Sequence, residues 1–181
     1  MSKKLELRMY GLVPYNISPI QQGIQFGHAV VEYAQKTKYY SEREKSLNVQ
    51  YDDWADNWKT FIILNGGTTN FRRFDGEYIG SLNRHETTLR SAGLWISTFH
   101  EPDLGDQLTA IVFIVDERVF NKEIYPDFEV PFDDIDYLKK LKKDGGNYTQ
   151  LKSYQNWKNS FGDDSDTVVF LRDFLKQFRL A

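Results

Sequence analysis

Two groups of polar residues carry what chemistry this chain can offer. The first is Gln21, Gln25, His28 and Glu32, separated by four, three and four residues, a spacing that puts all four on one helix face. The second is His100, Glu101, Asp103 and Asp106, with Thr109 just after it. A histidine near a carboxylate is the minimum set for general acid–base work, or for holding a water against an electrophile. His28 and His100 are two of only three histidines. Taken singly, each has a plainer reading, as a surface helix residue or a solvated turn. Their grouping sets them apart.

Other chemistries are excluded or weakly marked. The chain has no cysteine, so disulfides, thiolate zinc sites and cysteine nucleophiles are out. Three scattered histidines give no metal-ligand spacing. No Gly-x-Ser-x-Gly elbow or Ser-His-Asp order occurs. Asn65-Gly66-Gly67-Thr68-Thr69 lacks the lysine of a Walker loop. Gly66 and Gly67 either offer backbone N–H groups to an anion or close a plain turn. The acidic loop, with Pro102 and Gly105 inside it, reads as a divalent-cation site or as a solvated turn. Arg72-Arg73, flanked by Phe71 and Phe74, suits phosphate contact with base stacking. Lys139-Lys140 and Lys142-Lys143 form a second basic cluster.

The elements that must position these groups can be read in order. Leu5 to Val13 alternates as a strand, and a short turn leads into a helix from Ser18 to about Ala34. Ser18 is a good N-cap, Pro19 fits the first helical position, and Gln21 can complete a capping box. Ile20, Ile24, Val31 and Ala34 form its apolar face. Gly23 and Gly27 inside it imply close approach by a neighbouring element or a ligand, since each weakens the helix. Lys59 to Leu64 is a buried strand. Asp75-Gly76 marks a hairpin. Ser81 caps a helix from Leu82 to Ala92, ended by Gly93. Leu94 to Phe99 and Leu108 to Val115 are two more strands. Helices are expected over 135–143, 148–161 and 167–180. The plan is β-α-β-hairpin-α-β-β followed by a mostly helical extension of roughly 60 residues.

The 181 residues are enough for one domain with its own core. A net charge of −3 gives no global attraction to nucleic acid, so an RNA contact must be local. No apolar run approaches the roughly 20 residues that span a bilayer, and the first residues lack a signal-peptide core. The expectation is a cytoplasmic protein with no membrane partner.

Gln25-Phe26-Gly27-His28-Ala29, on the helix after the first strand, resembles the Gln-x-Gly/Ser-His-Ala signature of the archaeal-type peptidyl-tRNA hydrolases. Ala92-Gly93-Leu94, Glu101-Pro102-Asp103-Leu104 and Leu108-Thr109-Ala110-Ile111 together are similar to that family's closing segment. The resemblance implies a three-layer α/β/α domain with a four-stranded mixed sheet over residues 1–118. A helical extension, 119–181, would pack on it. It implies hydrolysis of the peptidyl-tRNA ester without a metal or cofactor. His28 or Glu101 would position or activate water, and Gln25 and Thr109 would orient substrate. Gln21, Gln22, Gly27 and Asp103 would line the pocket, and Arg72 or Arg73 would touch RNA. By position Glu101 takes the place of the family aspartate, with Asp103 second.

The chain departs from the family pattern in three places. The family's lysine before the helix is absent from 16–22, the acidic loop does not read Asp-Ala-Gly, and the extension from about Phe120 has no counterpart. A second reading therefore stands beside the first. The same pocket would hold a nucleotide or small anionic ligand without turnover, as a sponge or regulator such as a viral one. A third is an interaction protein whose aromatic C-terminal helices bind a partner or a second copy as a homodimer.

Overall fold

Strand β1 (Leu7–Val13) sits inside a four-stranded sheet and is paired on both sides. The structure, a computed structural model, describes residues 4–40, 45–69, 71–72, 76 and 78–181. After β1 come helices α1 (Pro19–Tyr40) and α2 (Lys45–Asp53), a π-helical turn (Trp54–Trp58) and strand β2 (Thr60–Asn65). A two-stranded ribbon, β3 (Phe71–Arg72) and β4 (Tyr78–Ile79), precedes α3 (Ser81–Ser91), β5 (Ser97–Glu101) and β6 (Gln107–Asp116). The sheet order is β2-β1-β6-β5, with β1 parallel to β2 and β6 antiparallel to both β1 and β5. β2, β1 and β5 thus run one way, and their carboxyl ends lie along one end of the sheet. This is the four-stranded mixed sheet expected of an α/β fold.

β1 and β6 are buried almost throughout, as strands covered on both faces must be. Met9 and Val13 of β1, with Ala110, Val112 and Ile114 of β6, meet Phe26, Ala29 and Tyr33 of α1. Leu12 points the other way and shares the space over Gly66 with Leu82 of α3. Helices on both faces make the three layers.

The chain divides into two compact units. One holds the chain up to Glu117 together with Gln177–Ala181. The last residues pair with β2: Leu180 bridges Leu64 antiparallel, and the Asn65 amide donates to the Arg179 carbonyl at 2.9 Å. The final helix is therefore shorter than its apolar spacing predicts. α7 ends at Leu175, and Phe178 belongs to the tail.

The other unit, Arg118–Lys176, is mostly helical. It follows the short helix α4 (Glu117–Phe120) with α5 (Ile135–Lys143), α6 (Lys152–Asn159) and α7 (Ser165–Leu175). Its centre is a buried arginine. Arg172, 3% exposed, donates to the carbonyls of Arg118, Tyr125 and Pro126 and to the Asp127 carboxylate. Its guanidinium lies 4.8 Å from the Phe161 ring centre. A planar fork of five donors can satisfy several converging carbonyls at once.

α1 is rotated relative to the expected face. Ser18, Pro19 and Gln21 do form the start, with the Gln21 amide donating to Ser18 Oγ at 3.3 Å and the Ser18 amide to Gln21 Oε1 at 3.1 Å. But Ile20, Ile24 and Val31 are 77, 48 and 58% exposed, while Gln25, Phe26, Ala29, Tyr33 and Thr37 are buried. The reason lies in β1. A Cβ on Gly11 would stand 2.2 Å from the Phe26 ring, so the glycine lets the ring lie on the strand backbone. The aromatic residues set the buried face, and the β-branched ones are turned out. Nothing described approaches within 4 Å of a Cβ placed on Gly23 or Gly27. Close packing within the described chain therefore does not account for them. Ser81 is the first residue of α3 and Gly80 its cap, a shift of one from the expected start.

Two predictions follow from this packing. Gly11→Ala should destabilise the protein by about 1–3 kcal/mol through overpacking, whereas Gly23→Ala and Gly27→Ala should each stabilise it by up to about 1 kcal/mol. Urea midpoints of the three variants check the sign. Arg172→Met, which strands several carbonyls, should cost about 3 kcal/mol. Arg172→Lys should recover only part of that, because an ammonium cannot span the same set; thermal unfolding of the pair decides it.

Candidate functional site

A buried amide is the starting point. Gln25 is 6% exposed, inside a helix–sheet interface where an unpaired amide is costly. Both ends of it are satisfied. Oε1 accepts the Thr109 hydroxyl at 2.6 Å, and Nε2 donates to Glu101 Oε2 at 2.5 Å. Partners 84 and 76 residues away are thus drawn to one helix position. The second Glu101 oxygen accepts the Asp103 amide at 3.3 Å.

The local chain explains why these side chains meet. Opposite β5, the register slips: Phe99 faces Ala110 but His100 faces Leu108, so Thr109 is an extra residue on β6. Such a bulge re-aims the side chain it carries. Thr109 thereby reaches α1, although strict alternation would separate it from Ala110. Its hydroxyl lies 3.4 Å from the Phe99 carbonyl, but its one hydrogen is better placed on Gln25. Glu101 ends β5 and caps the short 3-10 turn Pro102–Leu104. Gly105 and Asp106 take positive φ of 69° and 58°, and the Asp106 amide donates to the Glu101 carbonyl at 3.0 Å. A proline at the turn's first position and a glycine at its end fit that geometry. The expected polar loop is therefore tighter than read, with His100 and Glu101 in the strand.

The remaining predicted residues fall around this core or away from it. His28 is exposed on α1, its ring centre 4.5 Å from that of Phe99 and tilted 55°. Among the described residues it makes no hydrogen bond, so it borders the Gln25–Glu101–Thr109 network without joining it. Asp103 is exposed and contributes its backbone amide. Gln21 is taken up by the capping box. Gln22 holds the entry loop, donating to the Pro14 carbonyl at 3.1 Å and the Ile17 carbonyl at 3.3 Å. Gly27 is half-buried beside open space. Glu32 faces Lys36 at 3.7 Å, and His100 is exposed. Arg72 lies in β3; its side chain and all of Arg73 lie outside the described residues. Among the described residues, no three His, Asp or Glu side chains cluster as a metal site, and no helix is long and apolar enough to cross a membrane.

The arrangement defines a class: an α/β protein with a carboxylate fixed at the carboxyl end of the sheet, where open α/β sheets commonly hold ligands. Comparison with family models, curated proteins and solved structures finds no match for the chain.

Thr109→Val isolates the anchoring hydroxyl. It leaves the buried Gln25 Oε1 unpaired and should cost about 1–3 kcal/mol. Gln25→Leu made in the Thr109→Val background should cost less than it does alone. A urea-based double-mutant cycle in which the two costs simply add would show that the hydrogen bond is not coupled.

Proposed function

We propose that the chain is a peptidyl-tRNA hydrolase-like esterase whose acid–base group is Glu101. The observation that carries this reading is the buried Gln25 amide holding the Glu101 carboxylate while Thr109 holds the amide. Three of the four residues that the family resemblance names for catalysis thus share one hydrogen-bonded unit, and His28 flanks it across Phe99.

The unit fixes one carboxylate where a water can be held against an ester carbonyl. In the reaction, water adds to the carbonyl carbon and gives its proton to Glu101. The bond from carbonyl carbon to ribose oxygen then breaks. The proton passes to the leaving oxygen, giving a free ribose hydroxyl, and the peptide's new carboxylic acid loses its remaining proton to solvent. His28 is exposed beside this unit, its ring tilted against that of Phe99. Gln25 acts through Glu101 as a positioning residue, and Thr109 acts through Gln25.

Release of the acyl-amino acid from N-blocked aminoacyl-tRNA by the full chain tests the reading. Glu101→Gln keeps the shape and should lower kcat by roughly 10²–10⁴-fold, the usual scale of acid–base assistance. Gln25→Ala should lower it less. Wild-type protein without turnover, or a Glu101→Gln variant as active as wild type, would refute the assignment.

A further inference from the structure

A cavity opens at the same end of the sheet. It has a volume of about 330 Å³ and is bounded by the loops after β1 and β2, the first turns of α3 and the C-terminal tail. All of its lining residues belong to the first unit. The volume falls in the range of small-molecule sites, about 300–1,000 Å³.

Its chemistry is one-sided. The polar side chains on its walls include Tyr15, Asn65, Ser81 and Arg179, and no carboxylate is among the described lining residues. Asn65 Oδ1 accepts the Gly67 amide at 2.9 Å, which leaves its NH₂ group to face outward. Among the described residues, the Asn65 NH₂, the Tyr15 and Ser81 hydroxyls and the Arg179 guanidinium make no hydrogen bond or ion pair. Four donor groups with no protein partner among the described residues, and no facing carboxylate among the described lining residues, suit an anion.

The walls are closely packed and cross-linked by hydrogen bonds. A Cβ on Gly66 would stand 2.6 Å from the Leu82 side chain, and one on Gly67, at φ +100°, 2.4 Å from Ser81. The β2–β3 loop is thus pressed against α3. The Tyr15 amide donates to the Gly67 carbonyl at 2.8 Å, and the Asn16 and Thr69 side chains lock the same two loops together. The tail is held by its backbone pairing with β2, which leaves the Arg179 side chain unconstrained by the strand. His85 stacks edge-on against Phe178, with ring centres 4.9 Å apart. Burial, with Arg84 nearby, lowers its pKa below the ordinary histidine value, although a hydrogen bond to the Gly66 carbonyl acts the other way. Among the described lining residues, Arg179 is then the cation.

We propose that this cavity binds the phosphate group of a small phosphomonoester, with the Arg179 guanidinium and the Ser81 hydroxyl as its principal donors and the Tyr15 and Phe178 rings flanking the remainder. A guanidinium matches a phosphate with two parallel N–H···O bonds. The site uses none of Gln25, His28, Glu101 or Thr109, so it stands whether or not the chain hydrolyses esters.

Calorimetric titration of the full chain with inorganic phosphate and with ribose 5-phosphate tests it. Both should bind, the sugar phosphate more tightly. Arg179→Gln should weaken both by about tenfold or more, equivalent to about 1.4 kcal/mol. Arg90→Gln, a helix arginine paired with Glu86, should leave binding unchanged. Amide shifts of Gly66 and Gly67 on adding ribose 5-phosphate give a second readout that maps the site. Arg179 contributes only its backbone to the β2 pairing, so an unchanged urea midpoint is expected for Arg179→Gln. No binding of either probe at concentrations up to about 10 mM overturns the proposal. So does binding that Arg179→Gln does not alter, or that shifts residues elsewhere in the chain. The titrations contain no tRNA, so their failure is separable from failure of ester hydrolysis.

Discussion

The close approach of Phe26 to Gly11 fixes much of what surrounds it. A ring can lie on a strand backbone only where the strand has no side chain, and Gly11 supplies that gap in the middle of β1. Once Phe26 is seated, the helical period fixes the rest of α1. Ala29, Tyr33 and Thr37 must follow it inward, and Ile20, Ile24 and Val31 must turn out. Gln25, next to Phe26, is carried to the edge of the buried face. An amide there needs partners on both ends. Glu101 and Thr109 supply them. One glycine on a strand thus governs the rotation of a 22-residue helix and, through it, the orientation of the carboxylate at the sheet's end.

This explains which parts of the molecule were legible in the sequence. Three of the four sheet strands were, because each is a short apolar run with a marked end. The other, expected over Leu94 to Phe99, runs instead over Ser97–Glu101, where the chain pairs with β6 and stays extended through His100 and Glu101. The start of α1 was legible from Ser18, Pro19 and Gln21. Its buried face was not. The helix carries two apolar stripes, one of Ile and Val and one of Phe, Ala and Tyr, and period alone cannot rank them. What ranks them is the shape of the opposing strand, a long-range property. The end of α7 was misread for a related reason. Phe178 continues the apolar spacing after Leu175, but the chain there leaves the helix and pairs with β2, and no glycine or proline announces it.

The candidate site was legible in its members rather than in its mechanics. Gln25, Glu101 and Thr109 are far apart in sequence, and only the family resemblance placed them together. Two features had no sequence signal. One is the bulge that makes Thr109 face α1, since an extra residue in a strand leaves no mark on composition. The other is the separation of His28 from Glu101. His28 lies on its expected helix, yet its ring is tilted against that of Phe99 and, among the described residues, makes no hydrogen bond. The choice between Glu101 and Asp103 is likewise geometric. The Pro102 turn points the first carboxylate at Gln25 and leaves the second exposed.

Strand direction is what gathers the candidate site groups at one end. Because β2, β1 and β5 run the same way, their carboxyl ends deliver Asn65, the Pro14–Tyr15 turn and Glu101 to a common edge of the sheet. Along that edge the chemistry divides. The β5–β6 side carries a carboxylate fixed by an amide and a hydroxyl. The β1–β2 side carries donors that have no protein partner among the described residues, and a guanidinium brought by the tail. The loop before α1 has no lysine, and Gln22 uses its amide there to hold the Pro14 and Ile17 carbonyls. Among the described residues lining the β1–β2 side, the guanidinium is supplied from the far end of the sequence, by Arg179. It can arrive there only because β2 leaves an edge on which the tail can pair.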